Sequence, residues 1–502
     1  METNRKYKKY LNKMNAKELF KDKHNIVLIL ILLFAFITRM YFFFYTIDQP
    51  VWWDESQYIE QAKRLGLDLE TNDIWYYRRT MLLSVFWSFF YKIGLGEITL
   101  RFTEVLFSML LVYATFLVGK EMFNRKIGLL AAFGVAISRI ILFETSRLLT
   151  SVPSAALMML AVYFFYKGYL KNYNVKQIYL FGLFAGFALN IRFASFLSIF
   201  SFGIIYLIKE KGKFWKNKHT IGAFLLIFLL LTPFIYLYNK NYPLGIKDFI
   251  KHYSVSAPEE NALLFGSKGL IEYSKVLPEN MSLILFLAFI FGTFLLLDFI
   301  LAPDYLFKEP NLQKNLFLFL FILPPFIYHS TKSLYVEERY LIGILPVVFI
   351  IAGYGLYKIF TYLTNYNKYV VFSLFSILLI IIAGLQIDSA KDIISNKKDS
   401  YQQIKEAALW MKENSLPSDI IISNSIPQNQ YYSDRSTYYL EEEQEILKLN
   451  PKYYVVSIFE RSAQSFLEYP EKNPDKWKGI KVYYLDQEKT QPSLAIYEYI
   501  GN

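Results

Sequence analysis

Two adjacent carboxylates follow the first long apolar stretch of the sequence, in the segment WWDESQYIEQAKRL (52–65). A carboxylate can take a proton from an attacking hydroxyl group, so Asp54 and Glu55 are candidate catalytic residues. The same pattern also has a structural interpretation, in which Asp54 is the helix N-cap and Gln57 completes a capping box. Glu55 has no capping role in that scheme, so it is the residue that a purely structural interpretation leaves unexplained.

A second set of candidates consists of arginines at the ends of apolar runs. Arginine binds phosphate through two parallel hydrogen bonds, and polar groups near a membrane are costly unless they face protein, water or a ligand. We therefore predict a lipid ligand with a phosphate and a polar head. Alternatively, the arginines of the first loop extend to the membrane surface and the one in NIRFAS contacts headgroups. The candidates for phosphate binding are Arg78, Arg79, Arg147, Arg192 and Arg339.

The remaining candidates are aromatic and acidic residues beside these arginines, which could bind a sugar or an acceptor. The run EERY is the strongest, because its charges open an apolar stretch directly. Trp53 is better explained as an interfacial anchor, and stacking on a sugar is the alternative. His252 and His329 are expected to be plain loop-edge residues. The candidates for sugar or acceptor binding are Trp53, Tyr58, Glu144, Glu337, Glu338 and Tyr340.

The composition predicts the elements that must position these residues. Of the 502 residues, 54% are hydrophobic and 19% are charged. Residues 25–47 are long enough to cross a bilayer, which takes about 20 residues, and similar runs recur along the chain. We therefore predict a polytopic α-helical membrane protein in contact with membrane lipids. The net charge of +11 lies in short tethers between apolar runs, which indicates membrane orientation and not nucleic-acid binding.

The apolar runs predict roughly eleven transmembrane helices, centred near residues 36, 109, 135, 159, 184, 201, 229, 292, 322, 351 and 379. The basic tail 1–24 predicts a cytoplasmic N-terminus, and an odd number of spans places the C-terminus outside the cell membrane. The stretch 178–207 is too long for one span, and we interpret it as two spans that meet at Arg192. A single tilted span there would reverse the orientation of everything downstream.

The predicted outer segments differ in character. The first outer loop, 48–97, carries two amphipathic pieces that resemble interfacial helices. A second long outer loop covers 239–280. Residues 391–502 combine one helical pattern with β-branched and aromatic runs, which predicts a small, soluble, extracytoplasmic α/β domain.

The sequence does not indicate a metal site or a cofactor. It has no cysteine, and its four histidines are scattered without a pair at ligand spacing. We expect that no cofactor is required, although carboxylates could still hold a hard divalent cation.

Three stretches resemble one known family, the polyprenyl-phosphate-sugar-dependent glycosyltransferases of the protein O-mannosyltransferase and aminoarabinose-transferase type, which have the GT-C fold. The first is WWDESQYIEQAKRL, an acidic pair at the head of the first outer loop. The second is the block 94–168, which contains the outer turn FETSR. The third combines GLFAGFALNIRFASFL with EERYLIGILP. The resemblance covers about residues 25–390, which it identifies as a transmembrane glycosyltransferase domain.

The resemblance implies an inverting transfer of a sugar from a polyprenyl (dolichyl or undecaprenyl) phosphate to a protein, lipid or glycan acceptor on the extracytoplasmic face. Asp54 would activate the acceptor, Glu55 would support it, and the arginines would bind the leaving phosphate. Two departures leave the acceptor class and a metal open: Ser151 stands where many members have an acidic residue, and YYRRTML replaces a HPP-like run. The alternatives are a flippase of lipid-linked sugars and a non-catalytic envelope scaffold.

Overall fold

The computed structural model describes residues 22–69, 79–242, 245, 247, 267–332 and 336–501. Residues 1–21 of the predicted basic tail, Arg78, His252 and about half of the second predicted outer loop therefore lie outside the described residues. The chain forms two compact units. We call Met1–Tyr45, Phe102–Ser146 and Thr150–Asp392 the helical unit, and we call Thr46–Arg101, Arg147–Leu149 and Ile393–Asn502 the α/β unit.

The helices up to residue 397 account for most of the described chain, and two of them, α4 and α16, contribute residues to both units. They are α1 Lys23–Tyr45, α2 Trp53–Gly66, α3 Leu82–Lys92, α4 Glu97–Met122, α5 Arg125–Ile137, α6 Arg139–Thr145, α7 Ser151–Phe165, α8 Val175–Ile191, α9 Phe196–Lys209, α10 Lys218–Asn241, α11 Ser267–Met281, α12 Leu283–Leu295, α13 Asp298–Leu301, α14 Pro310–Lys332, α15 Leu345–Leu363 and α16 Lys368–Lys397.

Six stretches are long and apolar enough to cross a membrane, or seven if α5 and α6, bent by 58°, form one broken span. All eleven predicted centres fall inside helices, so a helical protein with several apolar spans is confirmed, whereas the count of eleven stays a prediction. The six are Lys23–Tyr45, Glu97–Met122, Lys218–Asn241, Leu283–Leu301, Leu345–Leu363 and Lys368–Lys397.

Small residues allow close helix packing in the helical unit, as is usual between membrane helices. Gly292 of α12 lies against the backbone of Ile351 in α15, and Gly355 of α15 lies against the backbone of Ala288 in α12. A Cβ atom at either glycine would clash with a carbonyl oxygen of the facing helix. Both glycines are therefore required for this helix pair to approach so closely.

The α/β unit contains a five-stranded sheet in the order β2-β1-β3-β5-β4. Strand β1 pairs in parallel with β2 and β3, and β5 pairs antiparallel with β3 and β4. The predicted helical pattern corresponds to the first helix of this region, and the predicted β-branched and aromatic runs overlap with β1, β3, β4 and β5; the three-residue β2 was missed because it is so short. The elements are α17 Gln402–Glu413, β1 Ile420–Ser423, α18 Ile426–Ser433, β2 Ser436–Tyr438, α19 Glu443–Lys448, β3 Tyr453–Ser457, α20 Gln464–Lys472, β4 Trp477–Tyr484 and β5 Pro492–Tyr499.

One face of the sheet is covered by a buried cluster of aliphatic and aromatic residues, comprising Ile422, Ile446, Tyr454, Phe466 and Trp477. The unit also contains α2 and α3 of the first predicted outer loop, so both amphipathic pieces are helices. The Tyr432 hydroxyl accepts from the Val51 backbone N–H at 2.9 Å, and the Lys405 ammonium donates to the Asp48 carbonyl at 2.7 Å. That residues 391–502 are a separate domain stays a prediction.

Candidate active site

The acidic pair lies in the first turn of α2, but its capping scheme differs from the prediction. The N-cap is Trp52, with extended backbone (φ −85°, ψ 173°), and the Glu55 carboxylate accepts from the Trp52 backbone N–H at 2.6 Å. The predicted capping role of Asp54 was therefore wrong, and so was the statement that Glu55 has none. The physical reason is spacing: Glu55 occupies the third helical position, from which a glutamate reaches back to the N-cap.

Glu55 is completely buried by partners on three sides. Its carboxylate accepts from the Arg147 guanidinium at 2.8 Å and from the Leu148 backbone N–H at 2.7 Å, in addition to Trp52. Arg147 is 1% exposed; it also donates to the Gln49 side chain at 2.7 Å and lies 3.9 Å from the Trp52 ring. These contacts favour a structural ion pair for two residues that were predicted to act on ligands.

Asp54, unlike this buried pair, is one quarter exposed. Its carboxylate accepts from the Arg79 guanidinium at 2.6 Å, and Arg79 also donates to the Gln57 side chain at 2.8 Å. The Arg79 guanidinium lies 5.6 Å from the ring of Tyr58, which is buried. Tyr58 is therefore placed to support Arg79, and Asp54 remains the accessible carboxylate of the pair. Trp53 is the first residue of α2 and is half-buried.

A further carboxyl group in the α/β unit interacts with Asp54, and it was not predicted. Burial raises the pKa of Glu460 to about 7; the adjacent Gln428 amide lowers this pKa, and the negative charge of Asp54 raises it. Glu460 follows strand β3 in the sequence YYVVSIFE, so an acidic residue just beyond a buried parallel strand was the available signal. What the sequence lacked was any indication that this strand end meets α2.

In the helical unit, two of the predicted arginines line one cavity of about 30 Å³. Arg192 and Arg339 lie 5.5 and 5.7 Å from the ring of Tyr340, which is stacked on His329 with ring centroids 4.6 Å apart. The Arg192 guanidinium also donates to the Ser151 hydroxyl at 2.8 Å. The predicted loop-edge position of His329 was wrong: it is buried inside α14, because that helix extends to Lys332.

The acidic residues of EERY are held by arginines and do not line this cavity. Glu337 is 3.1 Å from the Arg339 guanidinium. Glu338 accepts from Arg139 at 2.6 Å, and Arg139 is also 3.0 Å from Glu279. Sequence reasoning missed Arg139, since nothing local connects the start of α6 with a turn about 200 residues later.

Glu144 is buried in α6 and is not among the residues that line the cavity.

Within residues 22–69, 79–242, 245, 247, 267–332 and 336–501, no group of three or more histidines or acidic residues is placed to hold a metal ion. The expectation that no cofactor is needed stays a prediction.

Comparisons with known proteins give one family match and several structural matches. Residues 78–237 match the family model described as dolichyl-phosphate-mannose-protein mannosyltransferase. A search of curated proteins finds no match to the chain.

Three solved structures share the fold. The Archaeoglobus fulgidus oligosaccharyltransferase, tethered with an acceptor peptide, superposes with a TM-score of 0.65 at 15% identity, covering 97% of this chain and 75% of that one. ArnT from Cupriavidus metallidurans, bound to undecaprenyl phosphate, gives 0.64 at 11% identity, covering 94% and 97%. The archaeal oligosaccharyltransferase AglB from Archaeoglobus fulgidus, in complex with an inhibitory peptide and a dolichol-phosphate, gives 0.63 at 14% identity, covering 96% and 75%.

The chain therefore has the GT-C fold, and the resemblance to polyprenyl-phosphate-sugar glycosyltransferases that was predicted from its motifs is confirmed. The predicted enzyme class, a glycosyltransferase, is also confirmed by these matches.

Proposed function

We propose that the chain is an integral-membrane, inverting glycosyltransferase. It moves a sugar from a polyprenyl phosphate to a hydroxyl or amine of a protein, lipid or glycan acceptor on the extracytoplasmic face of the cell membrane. The observation that carries the proposal is the cavity of the helical unit, in which two arginines flank one tyrosine.

The cavity suits the phosphate of a lipid-linked donor. Two guanidinium groups offer several N–H donors in a fixed planar geometry, which matches phosphate oxygens. Ser151 adds a hydroxyl, and Tyr340 holds both arginines against its ring. As the glycosidic C–O bond breaks, its electron pair goes to the phosphate, and the arginines stabilise the negative charge that develops there.

Asp54 is suited to take the proton from the acceptor. It is the accessible member of the acidic pair, and its orientation is fixed by Arg79, which also donates to the Gln57 side chain. In the proposed reaction, an acceptor hydroxyl or amine forms the new bond to the anomeric carbon and loses its proton to the Asp54 carboxylate. Since the donor is already activated as a phosphate ester, the chain's own groups only need to position the reactants and stabilise charge.

The test is product formation by the purified chain in liposomes. We would supply polyprenyl phosphates carrying different hexoses and pentoses together with peptide, lipid and glycan acceptors. We expect free polyprenyl phosphate to be released together with a glycosylated acceptor. A flippase would move the donor across the bilayer without releasing the phosphate, and that result would contradict the proposal.

The phosphate site has its own test, which does not depend on the sugar. Binding of undecaprenyl phosphate and dolichyl phosphate should weaken in both Arg192→Ala and Arg339→Ala. Lys308→Ala provides a matched control, since it removes an exposed cation from the same unit. Equal affinity in all four proteins would contradict the assignment of the cavity.

A further inference from the structure

We propose that Glu460 is a positioning residue for the reaction, whose ionised carboxylate restores to Asp54 the basicity that Arg79 and the start of helix α2 remove. This inference rests on the proposed function, because it assigns Glu460 a task in that reaction. It adds a residue from the loop after β3 to the first-loop residues that surround Asp54.

Asp54 on its own is poorly suited to be a base. It lies in the first turn of α2, where the helix dipole favours the ionised form of a carboxylate. Its 2.6 Å ion pair with Arg79 acts in the same direction. A carboxylate stabilised in this way accepts a proton reluctantly, so a further group is needed to make it more basic.

The fold brings Glu460 to this position through an aromatic chain. Phe459 packs on Tyr401 with ring centroids 5.4 Å apart, and Tyr401 packs on Trp52, the N-cap of α2, at 6.2 Å. The backbone there is fixed as well, since the Asn424 amide donates to the Ser457 carbonyl at 2.7 Å and contacts the Glu460 carbonyl at 3.5 Å. The loop after β3 is thus held against the helix that carries Asp54.

The location also follows from the topology of the sheet. The chain leaves β1 through α18 towards β2 on one side, and it leaves β3 through α20 towards β4 and β5 on the other. The carboxyl ends of β1 and β3 therefore flank the point where the connections diverge, which is where ligands commonly bind on α/β sheets. Gln428, which follows β1, and Glu460, which follows β3, interact at this point.

The interaction between the two carboxyl groups is reciprocal. The negative charge of Asp54 raises the pKa of Glu460, in addition to the larger effect of burial. Linkage requires that an ionised Glu460 raises the proton affinity of Asp54 by the same free energy. The charged and titratable neighbours of Glu460 include Tyr401, whose pKa it raises, and Arg461, which is next in the chain.

The direction of the pH dependence follows from these charges. Below the Glu460 pKa of about 7, its carboxyl is neutral and Asp54 experiences mainly Arg79 and the helix dipole. Above that pH, the Glu460 carboxylate repels the Asp54 charge and makes Asp54 a stronger base. Sugar transfer by the wild-type chain should therefore increase as pH rises through about 7. Because Asp54 contributes less than burial to the shift, we expect a rise of up to about threefold, which corresponds to a coupling of about one pKa unit half expressed in the rate.

The first experiment is the pH dependence of kcat/KM for sugar transfer, measured from pH 5.5 to 8.5 for the wild type, Glu460→Gln and Glu460→Asp. We expect Glu460→Gln to lose the rise near pH 7 and Glu460→Asp to retain a rise with a shifted midpoint. Glu488→Gln removes an exposed carboxylate from the same unit and should match the wild type. A Glu460→Gln profile that keeps the rise at the wild-type midpoint would overturn the proposal.

The second experiment requires no turnover. The protonation of Glu460 can be followed by infrared difference spectroscopy between each parent chain and the same chain with Glu460→Gln. We expect the titration midpoint of Glu460 to fall when Asp54→Asn is the parent, because the repelling charge is gone. An unchanged titration midpoint of Glu460 would overturn this inference. If the midpoint falls but the wild-type chain transfers no sugar from any donor, only the proposed function is contradicted.

Discussion

At the scale of single residues, the two carboxylates of the acidic pair have different environments. Glu55 is completely buried and accepts three hydrogen bonds, one of them from the Arg147 guanidinium. Asp54 is one quarter exposed and shares its guanidinium partner with Gln57. A buried ion pair that loses one partner leaves an uncompensated charge, so Glu55 should act mainly through stability and Asp54 mainly through reaction.

Replacing Glu55 by glutamine should therefore destabilise the folded chain. The substitution leaves the Arg147 charge buried without its counter-charge, and breaking a buried pair in this way costs about 3–5 kcal/mol. The thermal unfolding midpoint in detergent measures the loss. Glu55→Gln combined with Arg147→Met should recover part of the stability, because no charge then remains buried. An unfolding midpoint equal to the wild type for Glu55→Gln alone would contradict a structural ion pair.

Glu460 should make stability depend on pH. Burial raises its pKa in the folded chain from 4.5 to about 7, so the folded state binds the proton more tightly than the unfolded state does. This group therefore destabilises the fold increasingly as pH rises from about 4.5 to about 7, and its effect is constant outside that range. The difference in unfolding midpoint between Glu460→Gln and wild type should grow across that interval. A difference that stays constant from pH 4.5 to 7.5 would contradict the raised pKa.

From the sequence, the important residues of the first loop were predicted more accurately than the role of each one. The segment WWDESQ contains both carboxylates and a helix start, so the position of the acidic pair at the start of a helix could be predicted. The partner of Glu55 could not be predicted, because Arg147 lies 92 positions further along the chain. The capping role of Glu55 follows from local spacing, whereas its burial against Arg147 and Leu148 is a tertiary effect.

At the scale of elements, the two arginines of the cavity lie in irregular segments between helices. Helix α8 ends at Ile191, and Arg192 has extended backbone (φ −145°, ψ 112°) before a short 3-10 turn. Arg339 lies in another 3-10 turn, Glu338–Leu341, just before α15. The interruption at NIRFAS predicted the first break correctly. The contribution of His329 from α14 was missed, because a single histidine in an apolar helix carries no periodic signal.

Ser151, the first residue of α7, should determine the charge of this cavity. A carboxylate there would pair with Arg192, whereas the serine hydroxyl contacts it without adding negative charge. Ser151→Asp should therefore weaken binding of undecaprenyl phosphate by roughly 10- to 100-fold, the usual range for a hydrogen bond to a charged group. Binding to the chain in detergent micelles measures the effect.

Ser151→Ala separates charge from hydrogen bonding at the same position. It removes the hydroxyl and adds no charge, so it should change the affinity for undecaprenyl phosphate much less than Ser151→Asp does. If the two variants bind equally, the argument about the charge of the cavity is wrong.

At the scale of the whole molecule, the length of the apolar runs was the most informative property of the sequence. Each predicted span centre lies in a helix, because about 20 apolar residues in a bilayer must satisfy their backbone hydrogen bonds internally. The association of the first loop with the C-terminal sheet could not be predicted. It depends on pairs such as Lys63 with Asp434 and Tyr432 with Val51, which are more than 370 residues apart.

The most direct measurement of the central claim is sugar transfer by Asp54→Asn. Transfer from polyprenyl-phosphate sugar to acceptor should fall by about 10²-fold or more, the usual contribution of a general base, while binding of undecaprenyl phosphate and the unfolding midpoint stay near the wild type. Asp48→Asn, which changes an exposed aspartate of the same loop, should leave transfer intact. Wild-type transfer by Asp54→Asn would contradict the assignment of Asp54 as the base of a membrane glycosyltransferase.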